Sequence, residues 1–266
     1  MNHLTIFSIL GLLLVSCHTP QVALRKAYRQ LPPAERQLAD SVLLTALDSE
    51  ALYTLLDTLK PMSSVQFYQL PLRSAQTQER DSARETILKL QRIANTLSAG
   101  DYQFLLQPFE RPDSVYRNME IYVIRKSALQ KRVSDAFAFY SKLGITPDAH
   151  PATILAVTEY ENKYDRWRSY GYLFGYPEYA VDFFIQAGMQ QDSTGVFVQR
   201  DFFQIPVYAA PTGHFTYAIP KGHTPAAVDS SLHAQASRTL VRYSALRQKY
   251  SKPEGVSSVR LWIKNW

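Results

Sequence analysis

The chain has 266 residues, 46% of them apolar, with 29 lysines and arginines against 23 acids and one cysteine. That apolar share is ample for one large core, and a lone cysteine excludes an internal disulfide or a multi-thiolate metal site. The formal net charge of +6 makes an anionic surface or polymer the partner class to look for.

Met1 to Ser16 carries an apolar run, Leu4 to Val15, that ends in Leu14-Val15-Ser16-Cys17. A bilayer span needs about 20 apolar residues, so this run reads as a cleaved leader. It resembles the bacterial lipoprotein signal, whose lipobox has a small residue before the cysteine and a leucine three before it. The resemblance implies cleavage before Cys17, acylation of Cys17 by palmitate or a similar chain, and a membrane partner reached through the lipid. With no acid in His18-Thr19-Pro20, it also implies the outer membrane, facing the periplasm, where nucleic acid is not an expected partner. The expected organisation is a signal peptide over 1–16, a tether over 17–30 and a single α+β domain over 31–266.

Val22 to Leu59 has helical periodicity, with Pro33 placed to open a helix and Asp48 placed to cap a further one carrying Leu52, Leu55, Leu56 and Leu59. Val65 to Leu72 reads as an edge strand, because proline interrupts it. Glu79 to Leu97 is a helix with Ala83, Ile87, Leu90, Ala94 and Leu97 on one stripe. Tyr102 to Phe109 reads as extended. In Met119 to Ile124, Ile121 and Val123 alternate with Glu120 and Tyr122, which predicts a half-buried strand. A helix is predicted from Ser127 to Leu143, closed by Gly144.

The densest aromatic stretch is Tyr164 to Phe184, YDRWRSYGYLFGYPEYAVDFF. Val157, Tyr160, Tyr164 and Trp167 recur at helical spacing, with Glu159, Lys163 and Arg166 off that face. Gly171 and Gly175 are expected to break the helix, and Pro177 to open the next, running to Gln186. Aromatics so spaced read first as packing. The alternative is a ligand cleft lined by Tyr170, Tyr172 and Tyr176, with Arg166 and Arg168 as anion-binding groups at its rim. LFGYPEYAVDFF also resembles a Gly-Tyr-Pro-then-helix element of some uncharacterised prokaryotic families. In some of those, two cysteines stand where Tyr179 and Ala180 stand here, so no thiol or metal chemistry carries over.

Val196 to Ile219 predicts a hairpin turning at Pro211-Thr212-Gly213, with Phe215, Tyr217 and Ile219 inward. Pro225 to Tyr250 is a long helix whose Arg238, Arg242 and Lys249 form a basic stripe; it reads first as solvation of the helix, and the alternative is a stripe that meets an anionic lipid surface or envelope polymer. Val256 to Ile263 reads as a final strand.

Lys221 and His223 flank a glycine between hairpin and helix, which reads first as a solvated turn; as the alternative they are, with His214, the remaining candidate ligand-binding groups. The six histidines lack zinc-site spacing, and there is no G-x-S-x-G elbow, so no catalytic residue, cofactor or metal is assigned. Glu159 and Glu161, two apart on a helix, point apart and read as a solvated face. The expected role is binding or envelope organisation. The alternative is a small-molecule or glycan-processing enzyme whose cleft would gather Arg166, Tyr170, His214 and His223.

Overall fold

The computed structural model describes residues 19–252 and 255–265; Cys17 and the lipobox lie outside the described residues. Three helices come first: α1 (Pro20–Gln30), α2 (Pro33–Asp48) and the single turn α3 (Leu52–Leu55). Prolines open α1 and α2, where a missing N–H leaves nothing unpaired. The stretch 17–30, expected as a tether, thus carries α1, and Leu24 enters the main core. Asp48 does not cap a further helix. It ends α2, and its carboxylate accepts hydrogen bonds from Tyr243 and Arg247 far along the chain.

Next come β1 (Met62–Leu70), α4 (Thr77–Leu97), β2 (Tyr102–Pro108) and β3 (Arg117–Arg125). The strands form an antiparallel sheet in the order β1-β3-β2, so β1 is an edge as expected and β3 is central. The half-buried pattern expected for β3 does not hold. Ile121, Tyr122, Val123 and Ile124 are all buried, because core packs against both faces of the strand.

The helix expected over 127–143 is divided. Ala136 leaves helical geometry between α5 (Lys126–Asp135) and α6 (Phe137–Tyr140), and a 3-10 turn then reaches Gly144. The helix expected to carry Val157 through Trp167 is divided too, into α7 (Pro151–Tyr160) and α8 (Lys163–Leu173). Asn162 causes the break, since its side chain caps α8 by accepting from the Asp165 N–H. α9 (Glu178–Thr194) follows and runs eight residues beyond Gln186. Gly171 does not break α8; it lets α9 approach, because a Cβ there would sit 2.7 Å from Val181. Gly175 does turn the chain, at φ +78°, with a notional Cβ 2.4 Å from the Leu59 carbonyl oxygen.

The hairpin β4 (Arg200–Val207) and β5 (Ala210–Pro220) turns at Tyr208-Ala209, not at Pro211–Gly213, which lie within β5. A register shift at Pro206 keeps a residue that has no N–H to donate out of the ladder, and its carbonyl accepts from the Tyr53 hydroxyl. α10 (Ala227–Lys249) is the long helix. The final strand expected over Val256–Ile263 is absent among the described residues. A short ribbon, β6 (Ser251–Lys252) with β7 (Gly255–Val256), leads into α11 (Ser258–Asn265). Asp40 of α2 accepts from Ser258 Oγ and the Val259 N–H, giving that helix start the carboxylate it favours.

The chain is therefore α+β, with a helix-rich N-terminal half and a C-terminal hairpin and long helix. One large buried cluster joins α2, α3, the sheet, the hairpin, α10 and α11. A second packs Tyr122, Leu129, Tyr140, Leu155, Tyr172 and Ile185 together beneath α7 to α9.

Candidate functional site: a carboxylate cleft beside the central strand

Alternation along β3 puts Asn118, Glu120 and Tyr122 on one face. Ser64 of β1 stands beside them, and Glu159 of α7 with Arg166, Trp167 and Tyr170 of α8 and Phe174 at its C-cap stand opposite. With the Phe109–Arg111 segment, these residues bound a cleft of about 550 Å³. Spacings of three and four bring these last four side chains to one side. Tyr170 stacks on Phe174 at 5.6 Å and on Tyr122 at 6.5 Å between ring centres. Trp167 is held by Phe184 at 5.0 Å and by Gly188, where a Cβ would lie 2.6 Å from the indole. A second cavity of about 320 Å³ shares Trp167, Tyr170 and Phe174, and is lined further by Tyr176, Phe184, Phe202 and Tyr217. The two form one aromatic wall with a polar end and an apolar end.

The three carboxyls at the polar end have different surroundings. Glu159, only 6% exposed, accepts from the Glu110 N–H at 2.8 Å and from the Tyr170 hydroxyl at 2.5 Å. Glu110 is paired with Arg166 at 2.6 Å, and that guanidinium holds the Glu110 carboxyl below the usual range. Arg166 also donates to the Glu159 carbonyl at 3.1 Å. Glu120 behaves oppositely: burial pushes its carboxyl up, against the pull of hydrogen bonds from Tyr122 and Ser64. The Tyr122 and Tyr170 phenols are pushed far up, first by burial and then by neighbouring acidic groups, so both remain protonated donors. Carboxyls driven apart in this way can divide the roles of donor and acceptor.

Behind the wall lies a buried ion pair. Lys60 is fully buried, and its ammonium sits 2.9 Å from Glu50 inside a cage of Phe215 at 4.1 Å, Phe174 at 5.1 Å and Tyr176 at 5.6 Å. Burial pushes the Lys60 ammonium down, and Glu50 opposes that shift. Phe174 and Tyr176 therefore face the cage on one side and the cavities on the other, which couples the pair to the shape of the wall.

Of the residues singled out in the sequence, Arg166 and Tyr170 line the polar cleft and Tyr176 lines the apolar cavity. Arg168 pairs with Asp182 and donates to the Tyr172 hydroxyl, and it lines neither cavity. His214 is exposed on β5, Lys221 pairs with Asp201 at 2.6 Å, and the His223 ring lies against Tyr179 at 5.4 Å. None of these three lines either cavity. Glu159 is not on a solvated helix face, since the segment after β2 folds over it. Lys163 of α8 pairs with Asp192 at 2.5 Å. Glu120, Glu159 and Trp167 also line the cleft, and local sequence pattern does not mark them as site residues. The alternation in β3 pointed Glu120 to the outer face of the sheet, and nothing local shows what covers that face. Among the described residues no group of three or more His, Cys, Asp or Glu is placed to hold a metal ion.

Compared with protein-family models, curated proteins and solved structures, the chain matches none.

Proposed function

We propose that this is a lipid-anchored protein of the bacterial envelope, at the outer membrane facing the periplasm, whose cleft binds a neutral glycan segment. One observation carries the ligand class: Glu120, Arg166 and Asn118 line the polar rim of a wall made by Trp167, Tyr170 and Phe174. A sugar ring has an apolar C–H face and hydroxyl edges, and it needs flat apolar surface flanked by both donors and acceptors. A cationic ligand is less well served, because Arg166 already compensates Glu110 and burial favours the protonated form of Glu120. An anionic ligand is no better served, because the Arg166 guanidinium is already paired with Glu110.

Calorimetric titration with β-1,4-linked hexamers of N-acetylglucosamine and of glucose tests this reading. At least one should bind saturably, and Glu120→Leu should weaken it by about tenfold or more, each tenfold being about 1.4 kcal/mol. No heat with either sugar, or equal binding by the variant, would count against it. The anchor is supported by the lipobox, and Cys17→Ala should abolish palmitate incorporation. A second reading, glycan processing, is favoured by the two carboxyls of Glu120 and Glu159 in one cleft, with burial pushing that of Glu120 up, since a carboxyl pair is what acid–base work on a glycosidic bond requires. New reducing ends in the same titrations, lost in Glu120→Gln, would select it.

A further inference from the structure

The α10 stripe is not the strongest basic feature of the fold. Arg242 donates to the Leu56 carbonyl at 2.9 Å, and the neighbouring Arg247 is committed to Asp48. A denser cluster lies where the first and last described helices meet. Arg25, Lys26 and Arg29 of α1 and Arg260 and Lys264 of α11 are all exposed. Four of them, all but Lys26, border one shallow depression of about 430 Å³. Neither helix contains an acid, and among the described residues none of the five takes part in an ion pair.

The carboxylate that joins the two helices is Asp40. It accepts from the Tyr28 hydroxyl of α1 and from Ser258 Oγ and the Val259 N–H of α11. Its role is to fix the two helices to α2, which holds the five cations as one rigid face. Position gives this face its meaning. α1 begins at Pro20, three residues after Cys17, and three extended residues reach only about 10 Å. A lipid on Cys17 would keep the start of α1 within that distance of the headgroups.

We propose that the α1–α11 face is a docking surface for an anionic bilayer, seating the domain on the membrane that holds its anchor. Several basic side chains close to such a surface each add to binding, and the sum acts together with an acyl chain. The orientation rests on the lipid-anchor reading; the affinity of the face does not, so the two can fail separately.

The test uses unacylated chain beginning at His18, which contains every described residue, in flotation with vesicles of phosphatidylglycerol and phosphatidylethanolamine or of phosphatidylcholine alone. The parent should float with the anionic vesicles at low salt, and salt should release it. Replacing Arg25, Arg29, Arg260 and Lys264 with Gln should weaken partitioning by about a hundredfold or more, the scale set by four basic residues near an anionic surface. Replacing Arg238, Arg242 and Lys249 with Gln should leave most of it. Thermal melts of both variants show whether each is folded. The proposal is overturned if the parent ignores anionic vesicles, if the α10 variant alone loses binding, or if soluble polyphosphate binds as tightly per charge as the vesicles do.

Discussion

Glu50→Ala should destabilise the protein by about 3–5 kcal/mol, because it strands a charge that has no route to water. Lys60 is fully buried, whereas the Glu50 side chain keeps 14% of its exposure. The two halves of the pair are therefore unequal. Losing Glu50 leaves the ammonium with only the ring faces of Phe174, Tyr176 and Phe215, which are worth about 2 kcal/mol for a desolvated cation. Losing Lys60 leaves a carboxylate that still touches solvent. Lys60→Met should accordingly cost much less, and the double variant Glu50→Ala with Lys60→Met should recover most of the loss. Urea unfolding of the four proteins gives the cycle directly. Unfolding of Glu50→Ala within 1 kcal/mol of the parent would show that Lys60 does not keep a stranded charge once Glu50 is gone, and would contradict this reading of the pair.

Trp262→Ala should cost a similar amount, about 3–5 kcal/mol. The indole is fully buried and meets Tyr102 at 5.3 Å and Phe104 at 5.9 Å, edge on. It ties α11 to β2, so its loss leaves a cavity between the last helix and the sheet that neither element can close alone. An unchanged urea midpoint would place the ring at the surface and detach α11 from the core.

These two sites illustrate what could be read from the chain and what could not. Periodicity located α4 almost to the residue, since Ala83, Leu90, Ala94 and Leu97 form one buried stripe, and turn residues located Gly144 and Gly175. The stretch Val256–Ile263 is apolar and short, and it suits a strand as well as a helix. Asp40, more than two hundred residues earlier, decides for the helix. Asn162 is a local signal of the break: a capping side chain in the middle of an apparently continuous helix divides it.

The site was legible only in part, for a similar reason. Arg166 and Tyr170 fall on the cleft face of α8 and were identified, while His214, Lys221 and His223 drew attention by residue type and end up elsewhere. Glu120 and Glu159 looked like surface acids because a strand or helix pattern gives the direction of a side chain and not what is packed above it. The cleft exists because the segment after β2 and the faces of α7 and α8 close over one side of β3, and those contacts are long-range.

The central claim is that the wall carrying Trp167 meets a sugar, and the indole N–H resonances test it most directly. The chain has three tryptophans, and Trp167→Phe and Trp262→Phe assign their signals in a ¹⁵N-labelled sample. Adding the bound hexasaccharide should move the Trp167 resonance progressively to saturation and leave that of Trp262, buried against Tyr102 and Phe104, in place. A Trp167 signal that stays fixed while the sugar binds would put the ligand elsewhere and contradict the account.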